Sequence, residues 1–188
     1  MITAAEIVAG LYGAWRLARG DKGGLAYFDA TPEGAWRSFQ AAFLALPVVV
    51  LFQGADLMNH ELITASGPKI IIVTILTFVI DWAAYPLLIL KMAPAMGFDD
   101  KVLRFLPALN WARVLSVAAL VIAALIGMAV GGGVSVLVSL ALTGVVLVYH
   151  WFVAKAALEI TGSQAAFLVA IDLVLTYLIG IWGLNMLR

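Results

Sequence analysis

The chain contains no cysteine, which excludes disulfides, thiolate metal sites, cysteine-ligated iron–sulfur clusters and thiol nucleophiles. Charged residues are also scarce: eleven basic and eleven acidic side chains cancel and make up 12% of the 188 residues. Without a net basic field, nucleic acid is not expected as a partner. Histidine occurs twice, at His60 and His150, too rarely for a histidine-rich metal cage.

Apolar side chains, by contrast, are abundant. They form 64% of the residues and give a mean hydropathy of +1.08, whereas soluble domains are roughly 45–50% apolar. A bilayer core about 30 Å thick is crossed by about 20 helical residues. Five apolar stretches meet that length: 38–57, 68–91, 105–130, 134–156 and 165–187. The sequence therefore predicts an all-α, polytopic membrane bundle of five transmembrane helices, with no soluble domain between them.

The N-terminal residues differ from the rest and predict a cytoplasmic segment, 1–30, in front of the five-helix transmembrane domain, 31–188. Thr3 and Glu6 have the spacing of a capping box, in which each side chain satisfies a free amide at the start of a helix. Gly20 is positioned to end that helix. These signals predict a first helix over residues 4–19, separate from the spans.

Between these signals, apolar side chains recur at helical spacing on one face. This apolar stripe consists of Ile7, Val8, Leu11, Tyr12, Trp15 and Ala18. Leu17 falls outside it. The pattern predicts an amphipathic interfacial helix, with Leu11 and Trp15 in the acyl boundary and Arg16 and Arg19 among lipid phosphates. A helix packed against the bundle or a neighbouring subunit is the alternative.

The distribution of basic residues predicts the orientation of the chain. One side carries Arg16, Arg19, Lys22, Arg37, Lys91, Lys101, Arg104 and Lys155, and the other carries Lys69 and Arg188. Because cytoplasmic loops are enriched in lysine and arginine, the N-terminus is expected in the cytoplasm and the C-terminus on the extracytoplasmic side. The host membrane is expected to be a bacterial inner membrane.

Ionisable residues inside the spans are the candidate functional residues. Asp81, Arg113 and Asp172 fall at similar depths, with His150 shallower and Asn110 one turn before Arg113. An unpaired charge at such depth costs at least about 2.5–3.5 kcal/mol, so these groups are expected to face inward and pair. A structural network is the favoured interpretation, and a proton relay, ion relay or polar ligand site is the alternative.

The sequence gives little support to catalysis or to a metal site. It has neither the HExxH motif of metalloproteases nor the GxSxG motif of serine hydrolases. Asp56 and His60 are four residues apart, but two ligands make a weak metal site. Lys155 and Glu159 have the spacing of an ordinary helical ion pair. We therefore expect no enzyme activity, no metal and no cofactor.

The chain resembles bacterial Yip1-domain proteins. The resemblance covers residues 30–188 and is carried by the five spans and by Trp151-Phe152-Val153-Ala154-Lys155-Ala156-Ala157-Leu158, continuing through Gly162 to Ala170-Ile171-Asp172. The Asp-Leu-Tyr-Gly-Pro motif of the eukaryotic members is absent, so their trafficking roles do not carry over. The resemblance implies an all-helical, non-enzymatic membrane protein.

Two functions follow as expectations. The first is an interaction, scaffolding or membrane-organising component whose partners are the lipid bilayer and other proteins, or further copies of the chain. The second is a small transporter or channel that uses the intramembrane aspartate, arginine and histidine residues.

Overall fold

The structure is a computed structural model, and it describes residues 3–58 and 63–188. Seven α-helices follow one another there: α1 (Ala4–Ala18), α2 (Pro32–Ser38), α3 (Ala42–Met58), α4 (Gly67–Met96), α5 (Val102–Val130), α6 (Gly132–Leu158) and α7 (Gly162–Leu187). Short 3₁₀ turns join several of them, and no strand occurs in the described ranges. The predicted all-α class is confirmed.

Five helical stretches are long and apolar enough to cross a membrane, as a multi-pass membrane protein requires. They are Pro32–Met58, Gly67–Met96, Asp99–Val130, Gly132–Leu158 and Gly162–Leu187. Each contains one predicted span and extends past at least one end of it. The predicted bounds were too short because a helix continues into its polar caps and through prolines, which a hydropathy window leaves out.

The first helix begins at the predicted capping box. The Thr3 hydroxyl accepts a hydrogen bond from the Glu6 amide at 3.2 Å, and Glu6 Oε2 accepts one from the Thr3 amide at 2.8 Å. These bonds hold the pKa of Glu6 below its ordinary value, because they stabilise the carboxylate. After Ala18, Gly20 adopts a φ of 75° and ends the helix, as expected.

Helix α1 packs on the bundle through small residues. Gly10 lies against the Trp111 ring of α5 so closely that a Cβ atom there would overlap the indole. Ala14 and Leu17 are fully buried, and the Tyr149 hydroxyl of α6 donates to the Ala14 carbonyl at 2.8 Å. Leu17, which the predicted stripe omitted, is therefore part of the buried core.

The apolar stripe lies largely on the other faces of α1. Val8, Tyr12 and Trp15 are 67%, 49% and 52% exposed, whereas Ile7 and Leu11 are half-buried against the core. One face of α1 therefore packs on the bundle, which was the predicted alternative. On the outer faces, the Tyr12 ring packs edge to face against Tyr27, with 4.9 Å between the centroids, while Val8 and Trp15 stay largely exposed.

The main core occupies the half of the bundle where α4 and α6 end and α5 and α7 begin. Phe98, Phe105, Leu158 and Leu168 are almost completely buried there. In the other half, α5 and α6 run on as a hairpin whose outer side chains are mostly exposed. Apolar side chains directed away from a bundle in this way are those that lipid would contact.

The α5–α6 hairpin is closed by glycines. Gly131 has a φ of 69°, which suits the sharp reversal between the two helices. One turn earlier, a Cβ at Gly127 would lie 3.3 Å from Ser135 Cβ, so the small residues let the helices approach closely. The small residues therefore serve packing between two helices of the same chain.

The expected pair between Lys155 and Glu159 is wrong. Glu159 has a φ of 55° and ends α6. Its carboxylate lies 2.8 Å from Arg104 Nη2 of α5 and 3.2 Å from Lys101 Nζ in the turn before that helix. The Arg104 and Lys101 contacts lower the pKa of Glu159. Lys155 instead lies over the Trp151 ring, 4.8 Å from its centroid.

Candidate functional site

A cavity of about 340 Å³ lies inside the bundle, and residues from α3, α4, α5, α6 and α7 line it. We call it the polar cavity, because half of its lining residues are polar: Gln53, Thr77, Asp81, Arg113, Ser116, His150, Asp172 and Thr176. Valine, leucine, isoleucine, glycine, Phe78 and Trp82 form the remaining wall. Four of the five residues expected to form a network, all except Asn110, therefore face one space.

Arg113 is the most constrained group of the site. Its side chain is 8% exposed, and Nη2 donates to Asp172 Oδ1 at 2.8 Å. Nη1 donates to the backbone carbonyls of Trp82 at 3.2 Å and Asp81 at 3.4 Å. The Trp82 carbonyl lacks its helical donor, because Pro86, four residues later, has no N–H. The guanidinium thus satisfies a carbonyl that proline leaves free.

Two aromatic rings of α4 fix the guanidinium further. The Arg113 Cζ atom lies 5.6 Å from the Trp82 ring centroid and 5.5 Å from that of Tyr85, within cation–π range. Arg113 therefore points into the bundle. Its contacts explain how a charged residue is accommodated in the interior of α5.

The Asp81 carboxylate has a different hydrogen-bond partner from that of Asp172. Its Oδ1 accepts a hydrogen bond from the Thr176 hydroxyl of α7 at 2.7 Å. Arg113 contacts the Asp81 backbone and not its carboxylate. In the described part of the chain, Asp81 forms no ion pair. Of the two intramembrane aspartates, only Asp172 is neutralised directly by Arg113.

His150 connects Asp172 to α5. Its Nε2 lies 3.1 Å from the Ser116 hydroxyl, and its Nδ1 lies 3.9 Å from Asp172 Oδ2. Because Ser116 donates its proton to the Ala112 carbonyl at 2.9 Å, its oxygen accepts from a protonated Nε2. A second proton on Nδ1 would face the Asp172 carboxylate. His150 therefore lies between Ser116 and the Asp172 carboxylate at the wall of the cavity.

Asn110 does not join this group. Its amide donates to the Ser38 hydroxyl at 2.8 Å, and Ser38 donates to the Ala35 carbonyl at 2.6 Å. Asn110 is completely buried and connects α5 to α2, at the start of the first span. One helical turn separates it from Arg113, but it lies on the face toward α2. Its contacts indicate a structural role.

Several cavity residues were not expected from the sequence, among them Gln53, Ser116 and Trp82. The available signal was weak. Gln53 is a polar residue within the first span, and Ser116 follows Arg113 by three residues, which places both on neighbouring positions of α5. Trp82 carries a buried Nε1–H that has no hydrogen-bond partner among the described residues, a property that only coordinates reveal.

The residues expected at the membrane surface lie apart from the cavity. Arg16 pairs with Asp21 at 2.5 Å and lies 5.6 Å from the Tyr27 ring centroid. Its guanidinium lowers the pKa of Asp21. Arg19 is exposed and ends α1, while Trp15 is half exposed. Arg19 is thus more available to a lipid phosphate than Arg16.

The suggested pair of metal ligands falls partly outside the structure. His60 lies outside the described residues. Within residues 3–58 and 63–188, no three histidine, aspartate or glutamate side chains are arranged to hold a metal ion.

The fold and the site together define an all-helical protein with five helices that could span a membrane and a polar cavity between them. Comparison with protein-family models, curated proteins and solved structures finds no match to this chain. The resemblance to Yip1-domain proteins stays a prediction.

Proposed function

We propose that this chain is a non-enzymatic, multi-pass membrane protein that binds a small solute in the polar cavity and moves it across the bilayer. The polar cavity carries this proposal. A purely structural network would be expected to close around its own ion pairs, yet about 340 Å³ of space remains beside Asp81 and His150. Sites for small molecules typically measure about 300–1,000 Å³.

The chemistry of the lining supports movement as well as binding. Asp81, His150 and Asp172 are groups that gain or lose a proton, and such groups inside spans mark proton and substrate pathways in membrane proteins. All five spanning helices contribute to the cavity, so a shift of one helix would change its shape. We propose the orientation given by the basic residues, with the N-terminus in the cytoplasm of a bacterial cell.

The proposal predicts flux that depends on the cavity carboxylates. In liposomes containing the protein, an imposed pH gradient should drive uptake of one or more radiolabelled probes: ethanolamine, glycine or acetate. Asp81→Asn and Asp172→Asn should each abolish that uptake, because both remove a charge from the cavity. Asp99→Asn, in an exposed turn outside it, should leave uptake unchanged. Equal uptake by wild type and both cavity variants would contradict the proposal.

An interaction or membrane-organising role is the second candidate, and it corresponds to what the Yip1-domain resemblance implies. The observation that favours it is the outer face of α1. Val8, Tyr12 and Trp15 are exposed apolar side chains, and Arg19 and Lys22 follow them in exposed positions. Such a combination suits the boundary between acyl chains and anionic headgroups.

Depth measurements test whether α1 lies at the membrane surface. Because the chain has no cysteine, single cysteines at Val8 or Trp15 accept one spin label each. In liposomes, both labels should be more accessible to oxygen, which dissolves in lipid, than to a water-soluble nickel complex. A label at the exposed Lys22 should show the reverse preference. Aqueous accessibility at all three positions would show that α1 leaves the bilayer.

A further inference from the structure

We infer that the polar cavity binds a small organic ammonium ion through the Asp81 carboxylate. The inference rests on the proposed function, because it names the ligand class of the same cavity. It follows from the distribution of charge, from the wall of the cavity and from one buried hydrogen-bond donor that has no partner.

The charges in the cavity do not balance. The two cavity groups that carry or can take a positive charge both lie beside Asp172. Arg113 Nη2 lies 2.8 Å from one carboxylate oxygen and His150 Nδ1 lies 3.9 Å from the other. Asp81 receives the neutral Thr176 hydroxyl at 2.7 Å and, among the described residues, no cation. With a neutral imidazole, two carboxylates face one guanidinium. A bound cation would supply the missing charge, which is costly to leave uncompensated inside a membrane.

The wall of the cavity favours an organic cation over a metal ion. Within the described ranges, no three acidic or histidine side chains converge to hold a metal. The cavity that Asp81 lines is also bounded by Phe78, by Val49 and by Ile179, which provide apolar surface for an alkyl group. An ammonium group on a short carbon chain would use the carboxylate and this apolar surface together.

Trp82 adds a requirement for a hydrogen-bond acceptor. It is 5% exposed, it lines the cavity, and its Nε1–H has no partner among the described residues. A buried donor without a partner loses the free energy of its bond to water, so a ligand that accepts from it gains affinity. An ammonium ion that also carries a hydroxyl group would satisfy both Asp81 and Trp82.

Ethanolamine hydrochloride is therefore the probe. Added to the full chain in detergent, it should raise the unfolding temperature in a saturable way, whereas sodium acetate and sodium chloride at equal ionic strength should not. Asp81→Asn should weaken the binding of ethanolamine at least about tenfold, the loss expected for one charged hydrogen bond. Asp99→Asn, an exposed carboxylate outside the cavity, should bind as wild type does.

A second variant separates recognition from folding. Trp82→Phe keeps a ring beside Arg113 but removes the N–H, so it should weaken ethanolamine binding and leave ethylammonium binding unchanged. Binding that persists in Asp81→Asn, or stabilisation by acetate in place of the amines, would overturn the inference. Uptake of acetate without amine binding would keep the proposed transport and reject this ligand class. Amine binding without any uptake would keep the ligand class and reject the proposed transport.

Discussion

Replacing Arg113 with leucine is expected to destabilise the protein by about 3–5 kcal/mol, because it leaves the Asp172 carboxylate buried without its ion-pair partner. Their side chains are 8% and 15% exposed and 2.8 Å apart, so water cannot readily compensate for the loss. The variant also leaves the Trp82 carbonyl without the donor that replaces the missing Pro86 N–H. Unfolding titrations in mixed micelles would measure the free energy of unfolding.

Double variants identify the partner of Arg113. Arg113→Leu combined with Asp172→Leu should recover part of the lost stability, with a coupling free energy of about 0.5–3 kcal/mol, because both members of a pair are removed. Arg113→Leu combined with Asp81→Leu is the matched control and should show weaker coupling, since the Asp81 carboxylate bonds to Thr176. Strict additivity for Asp172, or equal coupling for both aspartates, would contradict the geometry of the site.

The sequence was sufficient for the helices because each span exceeds the length that a bilayer requires. Thr3 with Glu6 formed the expected capping box, and all five predicted spans lie inside helices. The face of α1 that packs on protein was harder to predict. Gly10 and Ala14 contribute little to an apolar pattern, yet they let the helix approach Trp111 and Tyr149 closely. Hydropathy does not register a contact that depends on the absence of a side chain.

The sequence predicted the depth at which the site's charged residues lie, but not which side chains bond to each other. Equal depth along the helices brought Asp81, Arg113 and Asp172 together, because charges inside a bundle must face inward. Depth alone cannot show that Arg113 bonds Asp172 and the carbonyl near Pro86, while Thr176 takes Asp81. Those choices depend on the rotation of each helix about its axis. Asn110 illustrates this, since one turn from Arg113 it faces α2 and bonds Ser38.

Gly180 lines both the polar cavity and a smaller cavity beside it. Gly180, Gln53 and Thr77 also line a second, smaller cavity of about 40 Å³, which lies toward the end of α3 and the start of α4. A Cβ at Gly180 would have no neighbour within 4 Å, so there is room for a larger side chain where the linings of the two cavities meet. The second cavity contains Thr74, whose buried hydroxyl has no partner in the described chain. Solute would be expected to pass Gly180 on its way to that face.

Gly180→Leu should therefore abolish solute uptake while the protein stays folded, because the leucine side chain fills open space and leucine favours helix by about 1 kcal/mol over glycine. The same variant should protect Thr77→Cys from a membrane-impermeant maleimide added on the side where α7 ends. Gly144→Leu is the matched control: Gly144 lies in α6, has equally open surroundings and lines neither cavity, so its variant should take up solute and label as wild type does. Uptake by Gly180→Leu at the wild-type rate would show that the solute does not pass this glycine. Loss of uptake in both variants would instead trace the effect to added bulk in any spanning helix, because Gly180 lines both cavities and Gly144 lines neither.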